Sequence, residues 1–301
     1  MWHIIVNPIA GRGRTQKALP LMERALQAKH IPYQLHITKA PRHATLLARE
    51  LAQNGAEIVG AMGGDGTAHE VLNGLIGSQT TLAVVPTGTG NDLARALNIP
   101  LEITAAVRAL SGAQTRTIDY GVDTDAAFGV ILGLGFTTEV MTHVNKFKDF
   151  LRGPLAIAAA VVKVVHALTP DEMEIELDGR KVCRKTAAVF IMNSCWTGGG
   201  MYVTPEAKLN DGLLHVCLVN ELSRFELLAL LPKVYSGGHV GHPAVEFFTC
   251  RTLKISAARS MTKMFDGTVY GSTPVNAHIV PNGIKVLSPS GARLMVPTKT
   301  L

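Results

Sequence analysis

Cysteine is scarce and scattered: the four in this 301-residue chain, Cys183, Cys195, Cys217 and Cys250, form no C-x-x-C pair. That spacing argues against a disulfide framework and a cysteine zinc site, and a reducing cytoplasm is the expected setting. Long apolar runs are missing too. The longest, Leu155 to Leu168, is broken by Lys163, whereas a bilayer span needs about 20 residues. A buried or membrane-surface helix is expected there. No charged-then-apolar leader precedes Asn7-Pro8, so no signal peptide is expected. Neither G-x-x-x-x-G-K-[ST] nor G-x-G-x-x-G occurs anywhere, which excludes a P-loop and the usual dinucleotide fingerprint. Low-complexity tracts are absent.

What is present describes a well-packed globular protein. Hydrophobic residues make up 47% and charged residues 17%, a balance that excludes intrinsic disorder. The length is generous for one core and comfortable for two domains. A net charge of +6 and a pI near 9.2 favour anionic partners such as nucleotides, nucleic acid or acidic lipid headgroups.

The first hundred residues repeat one unit four times: a short apolar strand, a polar or glycine-rich loop and an amphipathic helix. The strands are Trp2–Val6, Tyr33–Ile37, Glu57–Met62 and Thr81–Val85, followed by loops at Asn7–Arg14, Thr38–Pro41, Gly63–Thr67 and Pro86–Asp92. Such alternation predicts a parallel α/β sheet, and its loops all leave from strand carboxyl ends, where ligands of open α/β sheets bind. Three of the four loops are richer in glycine than a plain connector requires. Around Gly63-Gly64-Asp65-Gly66-Thr67 in particular, backbone N–H groups can crowd toward a phosphate at a helix N-terminus. Asp65 is the odd member of that set, an anion among donors, and it points to a divalent cation or a reacting hydroxyl.

Beyond about Asp119 strands follow one another directly, as in Phe128–Leu134, Met173–Leu177, Lys185–Met192, Gly212–Val219, Arg251–Ser256 and Val275–Ile279. Asp178-Gly179 signals a two-residue hairpin, and the series predicts an antiparallel β-sandwich. Two helices are expected to interrupt it: the apolar run after Gly153-Pro154, and a segment from Ser223 to Tyr235 opened by a Ser223/Glu226 capping box.

Taken together, Asn7-Pro8 with Gly11, Gly63-Gly64-Asp65-Gly66-Thr67, and Pro86 with Gly88-Thr89-Gly90-Asn91-Asp92-Leu93-Ala94-Arg95 resemble one catalytic module. Thr117-Ile118-Asp119, Gly198-Gly199-Gly200, Pro205-Glu206-Ala207 with Asn210-Asp211-Gly212, and Phe265-Asp266-Gly267 continue the match in order. The module is that of the diacylglycerol kinase and sphingosine kinase family, in its soluble bacterial lipid kinase branch. The resemblance implies a Rossmann-like parallel α/β domain of the NAD kinase and phosphofructokinase kind over 1–121, then a β-sandwich lipid-substrate domain over 122–282. The tail 283–301 would return to the first domain.

It further implies ATP bound by Thr38, by Gly63, Gly64, Asp65, Gly66, Thr67, Ala68 and His69, and by Thr89, with Asn7 supporting the loops. Asp65 and Asp92 would organise Mg2+ or the acceptor hydroxyl, with Asp119 behind them. A structural Mg2+ is implied at Asp211 and the carbonyls of Lys208 and Leu213. The implied partners are a lipid substrate and, from the cytoplasm, an anionic membrane surface; a homodimer is allowed and nucleic acid is not expected.

One departure stands out. The family places a glutamate, taken as general base, directly after Asp-Gly, where this chain has Thr268. Threonine accepts no proton at neutral pH, and loss of a positioned base costs about 10²–10⁴ in rate. Three accounts compete: Asp65, Asp92 or Asp266 assists the hydroxyl, the acceptor differs from the usual one, or phosphate transfer has been lost. The expectation is therefore an ATP-dependent lipid kinase with weakened or altered activity. Its rivals are an inactive nucleotide- or lipid-binding regulator and an NAD kinase-like enzyme.

Two further features call for a place. Lys146, Lys148 and Arg152 alternate with Phe147, Phe150 and Leu151, a mixture suited equally to an anionic membrane surface and to a solvated helix face. His239 and His242 lack a third metal ligand at useful spacing and more simply close a loop.

Overall fold

The computed structural model describes residues 1–147 and 154–289, with the side chains of 144–147 and 154–158 left out. The basic-aromatic run from Lys146 to Arg152 therefore lies outside the described side chains.

The amino-terminal half alternates as its sequence pattern predicts: β1 (Trp2–Val6), α1 (Ala10–Ala28), β2 (Tyr33–Ile37), α2 (His43–Gln53), β3 (Ile58–Gly63), α3 (Asp65–Leu75) and β4 (Thr81–Pro86). Short helices α4 (Asp92–Ala96) and α5 (Ile103–Ser111) lead into β5 (Gln114–Val122). The four strands are parallel, in the order β2-β1-β3-β4. Strand order reverses between β1 and β3, so the loops after these two strands flank the crevice where such sheets bind ligands. Helix α5 was not anticipated, because its cap is a glutamate: Glu102 accepts from the N–H groups of Thr104 and Ala105 at 2.8 and 2.6 Å.

The second half is antiparallel and sandwich-like. Its strands include β6 (Ala127–Phe128), β7 (Ile131–Gly135), β8 (Asp171–Leu177) and β9 (Arg180–Met192), then the small hairpin β10 (Trp196–Thr197) and β11 (Met201–Tyr202). After them come β12 (Leu214–Asn220), β13 (Val245–Cys250), β14 (Thr252–Ala257), β15 (Thr262–Phe265), β16 (Thr268–Ser272) and β17 (Val275–Ser288). Leu177 pairs with Arg180 across Asp178-Gly179, whose φ values of 47° and 85° are those of a left-handed two-residue turn. Among the described residues three helices interrupt the strands, one more than expected: α6 (Phe136–Phe147), α7 (Pro154–Ala167) and α8 (Arg224–Leu230). The Ser223/Glu226 capping box is formed, but α8 gives way at Leu231 to a 3-10 turn ending at Ser236, with Pro232 at its start.

β17 and β5 run through both halves. Residues 275–278 pair with β14, whereas Lys285 and Val286 pair in parallel with Thr81 and Leu82 of β4. The register between β17 and β5 shifts at residues 280–284. Asp119 sits at this irregularity, fully buried, and its two carboxylate oxygens accept from the N–H groups of Asn282 and Gly212, each at 2.7 Å.

Within the first half, α2 and α3 pack closely across Gly74. A Cβ there would lie 2.5 Å from the Thr45 carbonyl oxygen and 2.6 Å from Ala48 Cβ. This close approach explains a glycine in a helix interior, where it costs about 1 kcal/mol relative to alanine. Gly74→Ala is therefore expected to destabilise the fold by about 1–3 kcal/mol through overpacking, despite its better helix propensity. Denaturant unfolding of the variant checks this, and an increase in stability would contradict the packing.

Candidate active site

Two glycine-rich loops touch at the carboxyl ends of β3 and β4. A Cβ on Gly88 would lie 2.4 Å from Gly64 Cα, so Gly88 has no room for a side chain. Asp65, in the first turn of α3, clamps the contact. Its carboxylate accepts from the N–H of Asn91 at 2.7 Å and of Asp92 at 2.5 Å. The loop after β1 joins the same structure. Gly11, Arg12 and Gly13 are left-handed, so the regular part of α1 begins after them. Thr15 and Thr87 hydroxyls meet at 2.6 Å, and Arg14 donates to Thr89 Oγ1 at 2.8 Å. Asn7 Nδ2 donates to Thr67 Oγ1 at 3.1 Å, leaving the buried Asn7 Oδ1 without a partner. Thr38, one residue past β2, donates its N–H to the Val6 carbonyl.

Asp92, the first residue of α4, does not cap that helix. Its Oδ1 instead accepts from the N–H of Gly199, 2.8 Å away in the turn between β10 and β11. Burial and the neighbouring Asp65 charge push the Asp92 carboxyl up to about 7, against the pull of the Gly199 and Gly198 N–H groups and Arg95. Asp65 is raised as well, chiefly by burial and further by the Asp266 charge.

The second half closes the site with the β15–β16 hairpin. Asp266, left-handed at φ 46°, is buried in its turn. Its Oδ1 accepts from the N–H groups of Val130 and Ile131, and its Oδ2 from Gly129, all at 2.9 Å. Oδ2 also meets His69 Nδ1 at 3.0 Å, while His69 Nε2 lies 2.8 Å from the Tyr270 hydroxyl. Tyr270 stacks on Phe265 with centroids 4.9 Å apart, beneath the Arg42 guanidinium. Thr268 and Tyr270 share one face of β16, because alternate residues of a strand do. That face lies along α3: Tyr270 meets His69, and a Cβ on Gly66, one turn earlier, would lie 3.3 Å from Thr268 Oγ1.

Between the halves remains a cavity of about 10 Å³ lined by Asp65, His69, Asp92 and Asp266 with Ala68, Leu72, Leu93 and Val130. That volume is near the minimum for one water.

The residues expected from sequence thus fall into separate places. Asp65, His69, Asp92 and Asp266 converge on the cavity, with Thr268 above Gly66. Asp119 stays apart, holding the β17 irregularity and the loop at Gly212. His69 has both ring nitrogens engaged within the protein, which leaves neither for a phosphate or an adenosine. Asp266 likewise accepts four hydrogen bonds and is no free base. The importance of Tyr270 was missed; its i+2 spacing from Thr268 was the available signal.

At the expected metal loop, Asp211 Oδ1 accepts from its own turn at Leu213 N–H (3.1 Å), and Oδ2 meets His215 Nε2 at 2.9 Å. A carboxylate beside main-chain carbonyls is an oxygen set that suits a hard cation. Among the described residues, no group of three or more His, Cys, Asp and Glu side chains is placed to hold a metal. His239 closes a loop by donating to the Val203 carbonyl at 2.7 Å, and His242 Nδ1 accepts from Ala244 N–H.

The chain is 31% identical over 276 residues to the diacylglycerol kinase of Bacillus subtilis (strain 168), covering 90% of each. It belongs to the diacylglycerol kinase family. The family model for the Diacylglycerol kinase catalytic domain matches residues 1–122. The one for the YegS C-terminal NAD kinase beta sandwich-like domain matches residues 130–288. A second relative, the diacylglycerol kinase of Staphylococcus carnosus (strain TM300), is 27% identical over 294 residues, covering 96% of this chain and 95% of its own. The solved structure of a diacylglycerol kinase from Bacillus anthracis str. Sterne shares the fold. It has a TM-score of 0.77 and 22% identity, and the match covers 96% of this chain and 97% of that one. The sequence resemblance to lipid kinases and the expected α/β-plus-sandwich fold are both upheld.

A titration follows from the acidic pair. In the folded state Asp92 holds its proton to about pH 7, whereas an unfolded aspartate releases it near 4. The stability this contributes is complete below about pH 4 and is lost as pH rises through 7. Asp92→Asn should therefore match the parent in thermal midpoint near pH 4 and exceed it at pH 8. A midpoint difference that does not change with pH would contradict the raised pKa.

Proposed function

We propose that the cleft transfers the γ-phosphate of ATP to the hydroxyl of a diacylglycerol-like lipid. The observation that carries this reading is the meeting of the two glycine loops, at Gly64 and Gly88, beneath Thr268 of the opposite half. Such a transfer depends on positioning and charge stabilisation more than on covalent chemistry. Backbone N–H groups at the start of α3 face the phosphates, Arg14 and Thr89 bound them on one side, and Thr38 lies on the adenosine side. The unpartnered Asn7 Oδ1 marks a polar atom of these loops that the protein itself does not satisfy. Mg2+ supplies charge neutralisation for the phosphates when bound. Asp65 and Asp92, the first of which raises the pKa of the second, would face it, and Asp211 with the Lys208 and Leu213 carbonyls would hold the structural ion.

The proton of the acceptor hydroxyl needs a route without the family glutamate. The chain Asp266–His69–Tyr270 supplies one. Tyr270, half-buried on the Thr268 face, can take the proton as it passes its own to His69 Nε2, and the Asp266 carboxylate stabilises the resulting imidazolium. A second reading, a regulator that binds nucleotide or lipid without transfer, draws on one fact: no carboxylate stands at position 268. In either case the chain acts at a membrane, where its lipid resides. No helix among the described residues is long and apolar enough to cross one.

Purified protein incubated with ATP and a panel of lipids tests the proposal. Slow turnover of diacylglycerol is expected, rising about 10²-fold in Thr268→Glu. If neither form turns over any lipid, the kinase reading fails. In the parent, His69→Gln and Tyr270→Phe should each lower kcat about 10²-fold, leaving KM for ATP within twofold. In the Thr268→Glu background the same changes should matter little. Equal losses in both backgrounds would remove the relay while leaving the kinase intact.

A further inference from the structure

Helix α8 and the 3-10 turn after it bury one face and leave the other uncovered. Leu227 and Leu230 are buried, whereas Phe225 is 85% exposed, Leu228 41% and Tyr235 57%. Ala229 and Pro232, also exposed, complete a stripe at spacings of three, one, three and three residues. A single exposed leucine needs no explanation, but an apolar stripe with an aromatic ring at each end marks a contact surface. Val162 of α7, 63% exposed, adds to the apolar surface presented by the helices of this half.

The charges around the stripe indicate what covers it. Arg224 and Lys233 are exposed and have no ion-pair partner among the described residues. The nearby acids are engaged within the protein: Glu221 by Lys185, Glu246 by Arg184, and Glu226 by the Ser223 N–H of the capping box. Apolar side chains with a cationic rim suit a surface with hydrocarbon beneath and anions above. The location agrees. A Cβ on Gly237, at the end of the 3-10 turn, would lie 3.3 Å from the Tyr202 ring. Tyr202 belongs to the hairpin whose Gly199 donates to Asp92, so one hairpin separates the stripe from the cleft.

We infer that the face formed by Phe225, Leu228, Pro232 and Tyr235, rimmed by Arg224 and Lys233, docks the protein on an anionic bilayer. This deepens the lipid-kinase reading and rests on it: the docked face brings the cleft beside the layer that holds the acceptor lipid. Phe225 and Leu228 enter the headgroup boundary, and the two cations meet lipid phosphates.

Vesicle sedimentation of the full chain at low salt tests this, with vesicles of phosphatidylcholine containing phosphatidylglycerol and with phosphatidylcholine alone. The parent should pellet with the mixed vesicles only. Phe225→Gln with Leu228→Gln should lower the bound fraction about tenfold, as should Arg224→Gln with Lys233→Gln. Both pairs should keep the parent's turnover of a short-chain acceptor delivered in solution. A Phe225→Trp reporter guards against misfolding artefacts: its emission should shift to the blue on adding mixed vesicles.

Failure of the parent to pellet, undiminished binding by both pairs, or an unshifted reporter would each overturn the inference. So would a dimer that the apolar pair dissolves while vesicle binding persists, since the stripe would then cover a second copy. Vesicle binding without lipid turnover would sink the kinase reading and leave this surface standing. Turnover without vesicle binding would do the reverse.

Discussion

A carboxylate buried between two layers of protein must have its charge met by donors, and in this chain that requirement shapes the whole cleft. Asp65, Asp119 and Asp266 each direct their oxygens at main-chain N–H groups from distant parts of the sequence. Asp65 fixes the Gly88–Asp92 loop to α3. Asp119 pins the irregularity in β17 and the loop at Gly212. Asp266 gathers three successive N–H groups, from Gly129 to Ile131, and His69 from across the cleft. The two halves are thereby registered against each other by hydrogen bonds to charge, which are shorter and stronger than neutral ones.

That use of aspartate limits their chemistry. An oxygen already accepting two N–H groups makes a poor proton acceptor, so Asp266, whose Oδ1 accepts from Val130 and Ile131, cannot simply replace a glutamate missing at position 268. Asp92 differs. The Gly199 and Gly198 N–H groups and Arg95 do not offset its burial beside Asp65, and its carboxyl stays raised to about 7. A positive charge beside Asp65 and Asp92 would favour their ionised forms. His69 differs again: its two ring nitrogens are bonded to Asp266 and Tyr270.

Much of this was legible in the chain. Strand-loop-helix alternation marked the parallel sheet, since its period and its glycine loops are local properties. Asp178-Gly179 and the Ser223/Glu226 box read correctly because turn and cap chemistry involve only neighbouring residues. Short strands such as β13, β15 and β16 passed unnoticed, as did α5 behind its unusual glutamate cap. β13 pairs with β12 and β15 with β7, partners that no local pattern names. Gly74 sits inside α3 because α2 lies against it.

Taken alone, the sequence determined the family, the two-part architecture and the glycine loops that meet at the crevice, because these rest on local periodicity and on residue types at short spacing. It also exposed the threonine at position 268. Only the tertiary structure decided what each aspartate does. Asp65 lies between glycines at a helix start and Asp119 inside a strand; the first lines the cleft and the second holds a strand irregularity outside it. Hydrogen-bond partners 26 to 163 residues away make that distinction. A carboxylate's role is set by which donors surround it once the chain is folded, and no local pattern records them.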